Sequence, residues 1–293
     1  KGRTIIKGLA QSSAEIVITI DSDTIIATDA MLELTACFAD SKIALVGGSV
    51  GISNPNKNAL TAFQVCVYYL FFHIAKIPEA YFHCIACVSG CLSATRRTVF
   101  LELVPDIEAR GFFGSPVRYG EDRFITHQTL LHGYDTYCNL RAKCWTPAPD
   151  TIKSYWAQQL RWARSGMGDF FRTVRNLPTN VKHLKPLALY NCFFSRLMVL
   201  VFVAKAMTTP ITNTLAYGCT VTAAACLVIA CVAIWAVNTF HPEQKVTNNP
   251  LRIVALGAWS LTKSLLMIPL AVLTLDSDGW GGQRNQKTKE GPK

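Results

Sequence analysis

The order of apolar and polar positions divides the chain into strands, helices and breaks. Residues 16–20, Ile16-Val17-Ile18-Thr19-Ile20, form a continuous run rich in β-branched side chains, the pattern of a strand buried on both faces. The run ends in Asp21-Ser22-Asp23-Thr24. Thr28 or Asp29 then offers an N-cap, with Met31, Leu32, Leu34 and Phe38 behind it. A second strand is expected over 43–46, closing with Gly47-Gly48. Strand, helix, strand is the alternation of an α/β domain with a parallel sheet. Open sheets of this class bind ligands beyond the carboxyl ends of their strands, and Asp21 and Asp23 stand at such an end.

Residues 58–76 stay uncharged until Lys76 and are barely long enough to cross a bilayer. With Thr61, Gln64 and His73 inside it, the run reads as a buried helix of the globular domain. A helix is expected over 121–132, with Gly120 before it and Gly133 in the C′ position. Short strands follow over 134–138 and 142–145, and Pro147 and Pro149 break the pattern. The next helix runs from about 151 to 174. Between Lys153 and Lys185 stand seven basic residues and one acid, Asp169. A basic, Trp-bearing amphipathic stretch before a hydrophobic block reads as a helix at the cytoplasmic membrane surface.

No residue from Ala206 to Pro242 carries a formal charge. Residues 190–211 and 217–237 are membrane-helix candidates; Arg196 and Lys205 in the first either snorkel or face protein. The block 251–275, interrupted by Lys263 and Pro269, reads as interfacial or re-entrant. That returns the residues after it to the side of the α/β domain. The start, Lys1-Gly2-Arg3-Thr4, has no signal peptide, soon enters a strand, and reads as a piece of a longer chain. The expected organisation is an α/β domain over 1–150, amphipathic interface helices over 151–188, transmembrane or re-entrant helices over 189–275, and a loop with a basic tail over 276–293.

Composition agrees with this division. Of 293 residues, 50% are hydrophobic and only 16% charged, against roughly 25% charged in an ordinary soluble domain. Disordered, coiled-coil and collagen-like chains are excluded. The net charge of +10 is compatible with anionic lipid or a phosphorylated substrate. No basic stripe interleaved with aromatics and no zinc-finger spacing is present, which argues against nucleic acid. The 11 cysteines are irregularly spaced. Cys84, Cys87 and Cys91 fit neither paired zinc knuckles nor a ferredoxin run, so they are expected as buried thiols in a reducing compartment.

Three constellations carry chemistry. Asp21 and Asp23, two apart at a strand end, suit a hard divalent cation that neutralises a diphosphate. Gly120-Glu121-Asp122-Arg123 places carboxylates at a helix N-terminus, where the dipole favours them and where one can accept a proton from a hydroxyl. On a helix, Gln158, Arg161 and Trp162 share one face, offering an amide, a guanidinium for phosphate and a platform for a sugar ring. An interfacial helix with a Trp anchor explains the arginines but not Gln158-Gln159. Together the three describe transfer from a metal-bound nucleotide diphosphate to a hydroxyl beside a membrane. No second nucleophilic carboxylate is evident, so a single displacement with inversion is expected.

At these residues the sequence resembles the processive membrane glycosyltransferases of family 2, which include hyaluronan, chitin and cellulose synthases and the nodulation N-acetylglucosaminyltransferases. The likeness runs from about residue 1 to 285. It implies a GT-A-like (Rossmann-like) domain followed by membrane helices, with the family's first strand and its uridine-binding Asp lying upstream. It implies that Asp21 and Asp23 bind Mg2+ or Mn2+ and the UDP side of the donor, and that Ser89 and Gly90 lie near the acceptor. Asp122 would be the general base. Gln158 and Arg161 would hold pyrophosphate and Trp162 the acceptor sugar. Trp280, in Gly279-Trp280-Gly281 with Arg284, would belong to a gating loop at the donor. Cys91 stands where the family usually has Pro, and Gly282-Gln283 where Thr-Arg is usual. The segment Gln158-Gln159-Leu160-Arg161-Trp162 resembles the hyaluronan and nodulation branch, which implies UDP-N-acetylglucosamine as donor, a growing polysaccharide as acceptor, and a multi-pass plasma-membrane enzyme with a cytoplasmic catalytic domain. A non-processive family 2 enzyme acting on a lipid phosphate, and a non-catalytic membrane scaffold or transporter, are the competing readings.

Overall fold

The computed structural model describes residues 2–112, 115–116, 120–208 and 214–275. In chain order these form α1 (Gly2–Ala10), β1 (Ile16–Ile20), β2 (Ile25–Ile26), α2 (Ala30–Ala36), β3 (Ile43–Ile52) and α3 (Ala59–Leu70). A π-helical turn, Phe71–Ala75, joins α3 to α4 (Lys76–Tyr81). Then come β4 (Leu92–Arg96), α5 (Arg97–Glu108), β5 (Gly111–Phe112), β6 (Ser115–Pro116), α6 (Glu121–Leu131), β7 (Asp135–Thr146) and α7 (Ile152–Arg175). The remainder is helical: α8 (Leu177–His183), α9 (Pro186–Leu189), a second π-helical turn at Tyr190–Phe194, α10 (Ser195–Thr208), α11 (Thr214–Phe240) and α12 (Pro250–Leu273).

Five strands form one sheet in the order β1-β4-β3-β7-β2. β3 and β7 are parallel, whereas β4 runs antiparallel to both β1 and β3, and β2 antiparallel to β7. The sheet is therefore mixed, not parallel throughout. The chain passes from β3 through α3, the π-helical turn, α4 and the loop 82–91 before it enters β4, which runs back between β1 and β3. One consequence positions the site: the end of β1 lies beside the start of β4, with Ile20 opposite Leu92.

Other local expectations are also corrected. The first residues form α1 rather than leading into a strand, and Leu9 of that helix is buried. β1 is an edge strand, half-buried along Ile16–Thr19 and exposed at Ile20, not buried on both faces. β3 does not stop at Gly47-Gly48 but continues buried to Ile52. A Cβ on Gly48 would fall 2.5 Å from the Ala142 carbonyl oxygen and 2.8 Å from Leu92 Cδ2, so these glycines permit close strand approach rather than ending the strand. The two short strands expected over 134–145 are one strand, β7, with a bulge where Gly48–Asn139 pairing jumps to Ser49–Lys143.

Helix α2 begins after Asp29, though the Asp29 side chain makes no cap bond. The run 58–76 is helical, opened by an Asn58–Thr61 capping box, and packs on β3, α11 and α12. Among the described residues one helical run, Ala59–Tyr81, is long and apolar enough to cross a membrane, and 50% of it is buried in the protein. Of residues 190–211, 190–194 form the second π-helical turn and 195–208 form α10, while 209–211 lie outside the described residues; residues 217–237 fall within α11. Arg196 faces protein: a Cβ on Gly166 of α7 would lie 3.3 Å from its guanidinium carbon. Lys263 of α12 is buried, its ammonium 4.0 Å from the centroid of the Tyr155 ring of α7.

Candidate active site

The Asp21-Ser22-Asp23-Thr24 segment leaves β1 in a tight turn, with the Thr24 N–H donating to the Asp21 carbonyl (3.0 Å). Asp21 is half-buried and Asp23 exposed. Because β4 is antiparallel to β1, the Asp21 N–H donates to the Cys91 carbonyl (3.2 Å). Two motifs about seventy residues apart, Asp21–Asp23 and Ser89-Gly90-Cys91, are thereby stitched together at one sheet end. Thr24 Oγ1 is buried and has no hydrogen-bond partner among the described residues. Hard carboxylate oxygens at an accessible strand end are the donor set that Mg2+ and Mn2+ accept, so Asp21 and Asp23 fit such an ion.

Asp122 lies in the first turn of α6, whose N-cap Gly120 adopts a left-handed φ of 68°. The carboxylate accepts from the Arg123 N–H (2.8 Å). Thr126, one turn on and fully buried, ties this helix to the segment that leads into Ser89-Gly90-Cys91. Its hydroxyl donates to the Asp122 carbonyl (2.7 Å) and accepts from the Val88 N–H (3.0 Å). From the other side, Lys76 Nζ donates to the Cys87 carbonyl (2.6 Å), and Glu79 Oε2 accepts from the Ala86 N–H (3.2 Å). The segment before Ser89 is thus held by α4 below and α6 beside it.

The α7 helix, opened by Thr151 accepting from the Ser154 N–H (3.2 Å), carries Gln158, Arg161, Trp162 and Ser165 along one stripe. It meets the start of α6 and the middle of α3. At Gly120, a Cβ would fall 2.7 Å from Ser165 Cβ, so the start of the Asp122 helix is packed on this stripe. Trp162, 45% exposed, packs its ring 6.3 Å from that of Tyr68 on α3. Tyr68 in turn lies within electrostatic range of Asp23. Burial first, then Cys91, Tyr155 and Asp23, hold the Tyr68 hydroxyl well above its ordinary pKa, so it stays a donor. Gln158 Oε1 is buried without a partner among the described residues. Trp280 and Arg284 lie outside the described residues.

Cys84 is buried and Cys87 and Cys91 half-buried; all three are free thiols. Tyr68, Lys76 and Thr126 were not singled out in the sequence. A lysine closing an apolar helix was a visible signal for Lys76. The other two look like ordinary helix residues until the tertiary contacts are known.

Across 94% of this chain and 66% of the other, the structure matches a mannosyltransferase from Pyrobaculum calidifontis solved in complex with GDP-Man and Mn2+, with a TM-score of 0.50 and 16% identity. The architecture is thus that of the GT-A-like α/β glycosyltransferases. A family model described as Glycosyl transferase family group 2 matches residues 16–240, and the chain belongs to that family. It is 28% identical over 295 residues to an N-acetylglucosaminyltransferase of Neorhizobium galegae, covering 100% of this chain and 65% of that protein. It is 31% identical over 163 residues to hyaluronan synthase 2 of Xenopus laevis, covering 55% of this chain and 29% of that protein. The chain spans about two thirds of the length of the rhizobial relative.

Proposed function

We propose that the protein transfers N-acetylglucosamine, alone or alternating with glucuronic acid, from a UDP-sugar to the hydroxyl end of a growing β-linked polysaccharide at a membrane. The observation that carries the reading is the packing of the Asp122 helix on α7, Gly120 against Ser165, on the same helix whose Trp162 packs on Tyr68, itself within electrostatic range of Asp23.

Asp122 removes the proton from the acceptor hydroxyl as that oxygen attacks the anomeric carbon. Arg161 and the amide of Gln158 steady the pyrophosphate as negative charge grows on it. The half-exposed Trp162 stacks on the acceptor sugar, Ser89 and Gly90 line its path, and Trp280 binds the donor. Asp21 and Asp23 would hold Mg2+ or Mn2+, which would supply positive charge to neutralise the diphosphate leaving group. With one base and no second nucleophile the displacement is single, so the anomeric centre inverts. The uncharged stretch from Ala206 to Pro242, which includes all of α11, supports a multi-pass membrane enzyme whose catalytic domain faces the cytoplasm.

The test is UDP release by membranes carrying the full-length protein, supplied with Mg2+ or Mn2+ and UDP-N-acetylglucosamine with or without UDP-glucuronate. Sustained release from the single donor with a chitinase-sensitive product defines a chitin-type polymerase; a requirement for both donors defines a hyaluronan type. Asp122→Asn is expected to abolish release while leaving UDP binding nearly intact. Release of a single sugar onto lipid phosphate would overturn the polymerase reading.

A further inference from the structure

The loop 82–91 carries Ser89 and Gly90 but contains no helix or strand, so its backbone polar groups must find partners elsewhere. Side chains supply several of them. Besides the Lys76 and Thr126 bonds described above, Thr136 of β7 donates its hydroxyl to the Ile85 carbonyl (2.9 Å). Two further ties lead away from the sheet, to the segment 185–194 at the foot of α10.

The first tie is Lys185, the residue before α9. Its ammonium donates to the carbonyls of Phe82 (3.1 Å) and His83 (3.2 Å) and pairs with Asp135 Oδ1 (2.6 Å). His83 stands at a left-handed φ of 50°, which a residue with a Cβ keeps only where its surroundings enforce it. The second tie is Glu79 of α4. Its Oε2 accepts from the Ala86 N–H (3.2 Å), and its Oε1 accepts from Nδ2 of Asn191. Both oxygens receive N–H donors, the arrangement of an ionised carboxylate. Lys76, one turn earlier and 2% exposed, lies within electrostatic range as countercharge.

Asn191 belongs to the second π-helical turn, directly before α10, a rare geometry found most often at functional positions. Apolar packing joins the same two segments: Cys84 of the loop shares a buried cluster with Leu184 and Ala188. The loop and the foot of α10 are therefore packed, ion-paired and hydrogen-bonded together, and close-packed parts of this kind move as one.

We infer that Glu79 is a positioning residue that ties the loop bearing Ser89 and Gly90 to the foot of α10. It thereby fixes the acceptor end of the product relative to the membrane helix. This rests on the polymerase reading, in which the product advances by one sugar after each transfer without losing its new end. A loop that shares its footing with α10 keeps that end in register for the next attack.

The test uses the full-length protein in nanodiscs and reads product length, sugars incorporated per UDP released, and UDP affinity. Asn191→Asp sets a carboxylate against Glu79. It is expected to shorten the product about tenfold, as for one lost charge-assisted hydrogen bond, and to raise UDP release without incorporation, with UDP affinity unchanged. The double variant Glu79→Gln/Asn191→Asp reverses donor and acceptor across the same contact, and is expected to restore length to within about twofold of wild type. Asn191→Ala, which removes the donor without repulsion, is expected to fall between and keeps the test open where Asn191→Asp does not fold. Thermal unfolding checks each variant. Product length unchanged in Asn191→Asp and Asn191→Ala, or a folded double variant no better than Asn191→Asp, would overturn the tether. A wild-type protein that adds a single sugar overturns the polymerase reading instead. The variants are then ranked by KM for that acceptor, expected in the same order, and equal KM values would overturn the tether as well.

Discussion

At the scale of single residues, chemistry depends on side chains that do none of it. Thr126 is such a residue: its hydroxyl joins the Asp122 carbonyl to the Val88 N–H, the step before Ser89. Thr126→Val leaves a buried N–H without a partner, a loss of about 1–3 kcal/mol. Where that loosens the segment before Ser89 in the transition state of the proposed transfer, the rate falls about tenfold for each ~1.4 kcal/mol. The expected result is a rate loss of about tenfold or more, with UDP affinity by calorimetry unchanged and with rescue by Thr126→Ser, which keeps the hydroxyl. Equal losses in valine and serine variants would assign Thr126 to packing alone. The motif residues Asp21, Asp23, Asp122, Gln158, Arg161 and Trp162 could be picked out in the sequence because their chemical types recur at fixed spacing. Thr126 could not, because a threonine four residues after an aspartate carries no signal until Val88 is known to lie beside it.

At the scale of elements, the decisive contact is α6 against α7. Gly120 combines a φ of 68° with a close approach to Ser165. Gly120→Ala therefore incurs left-handed strain of about 1–2 kcal/mol and a steric overlap with Ser165. The double variant Gly120→Ala/Ser165→Gly removes the overlap but not the strain. Thermal unfolding is expected to rank wild type above the double variant and the double variant above Gly120→Ala; identical destabilisation of the two variants would mean that the contact with Ser165 carries no weight. The glycine itself was foreseen, because a helix N-terminus with acids behind it needs a break. Its partner was not, since nothing local links residue 120 to residue 165.

At the scale of the whole molecule, the sheet and the C-terminal helices meet at a seam of titratable groups. His73 of the first π-helical turn lies 3.3 Å from Ser49 Oγ of β3, and its ring centroid is 4.4 Å from that of His241, just after α11. Burial first, then His241 and Lys143, push His73 down to about 4, with Glu243 opposing. The unfolded chain titrates near pH ~6.5, so between these values it binds the proton that the folded seam refuses. The contribution to stability is full above about pH 6.5 and is lost as pH falls toward about 4. Thermal unfolding between about pH 7 and about pH 4.5 is expected to show a fall that His73→Gln flattens; parallel slopes would remove His73 from the seam. The sequence by itself determined what periodicity and composition can encode: β1, the helices of 121–132 and 151–174, an α/β domain before apolar helices, and the residue types of the site. Those follow from each residue's own preference and its near neighbours. Only the tertiary structure decided that β4 runs backward between β1 and β3, that Gly47-Gly48 lie inside a strand, and that Asp21 meets Cys91 while Gly120 meets Ser165. Strand direction and contacts between distant segments depend on how whole faces bury one another, and that free energy belongs to the assembled sheet and helices rather than to any window of the chain.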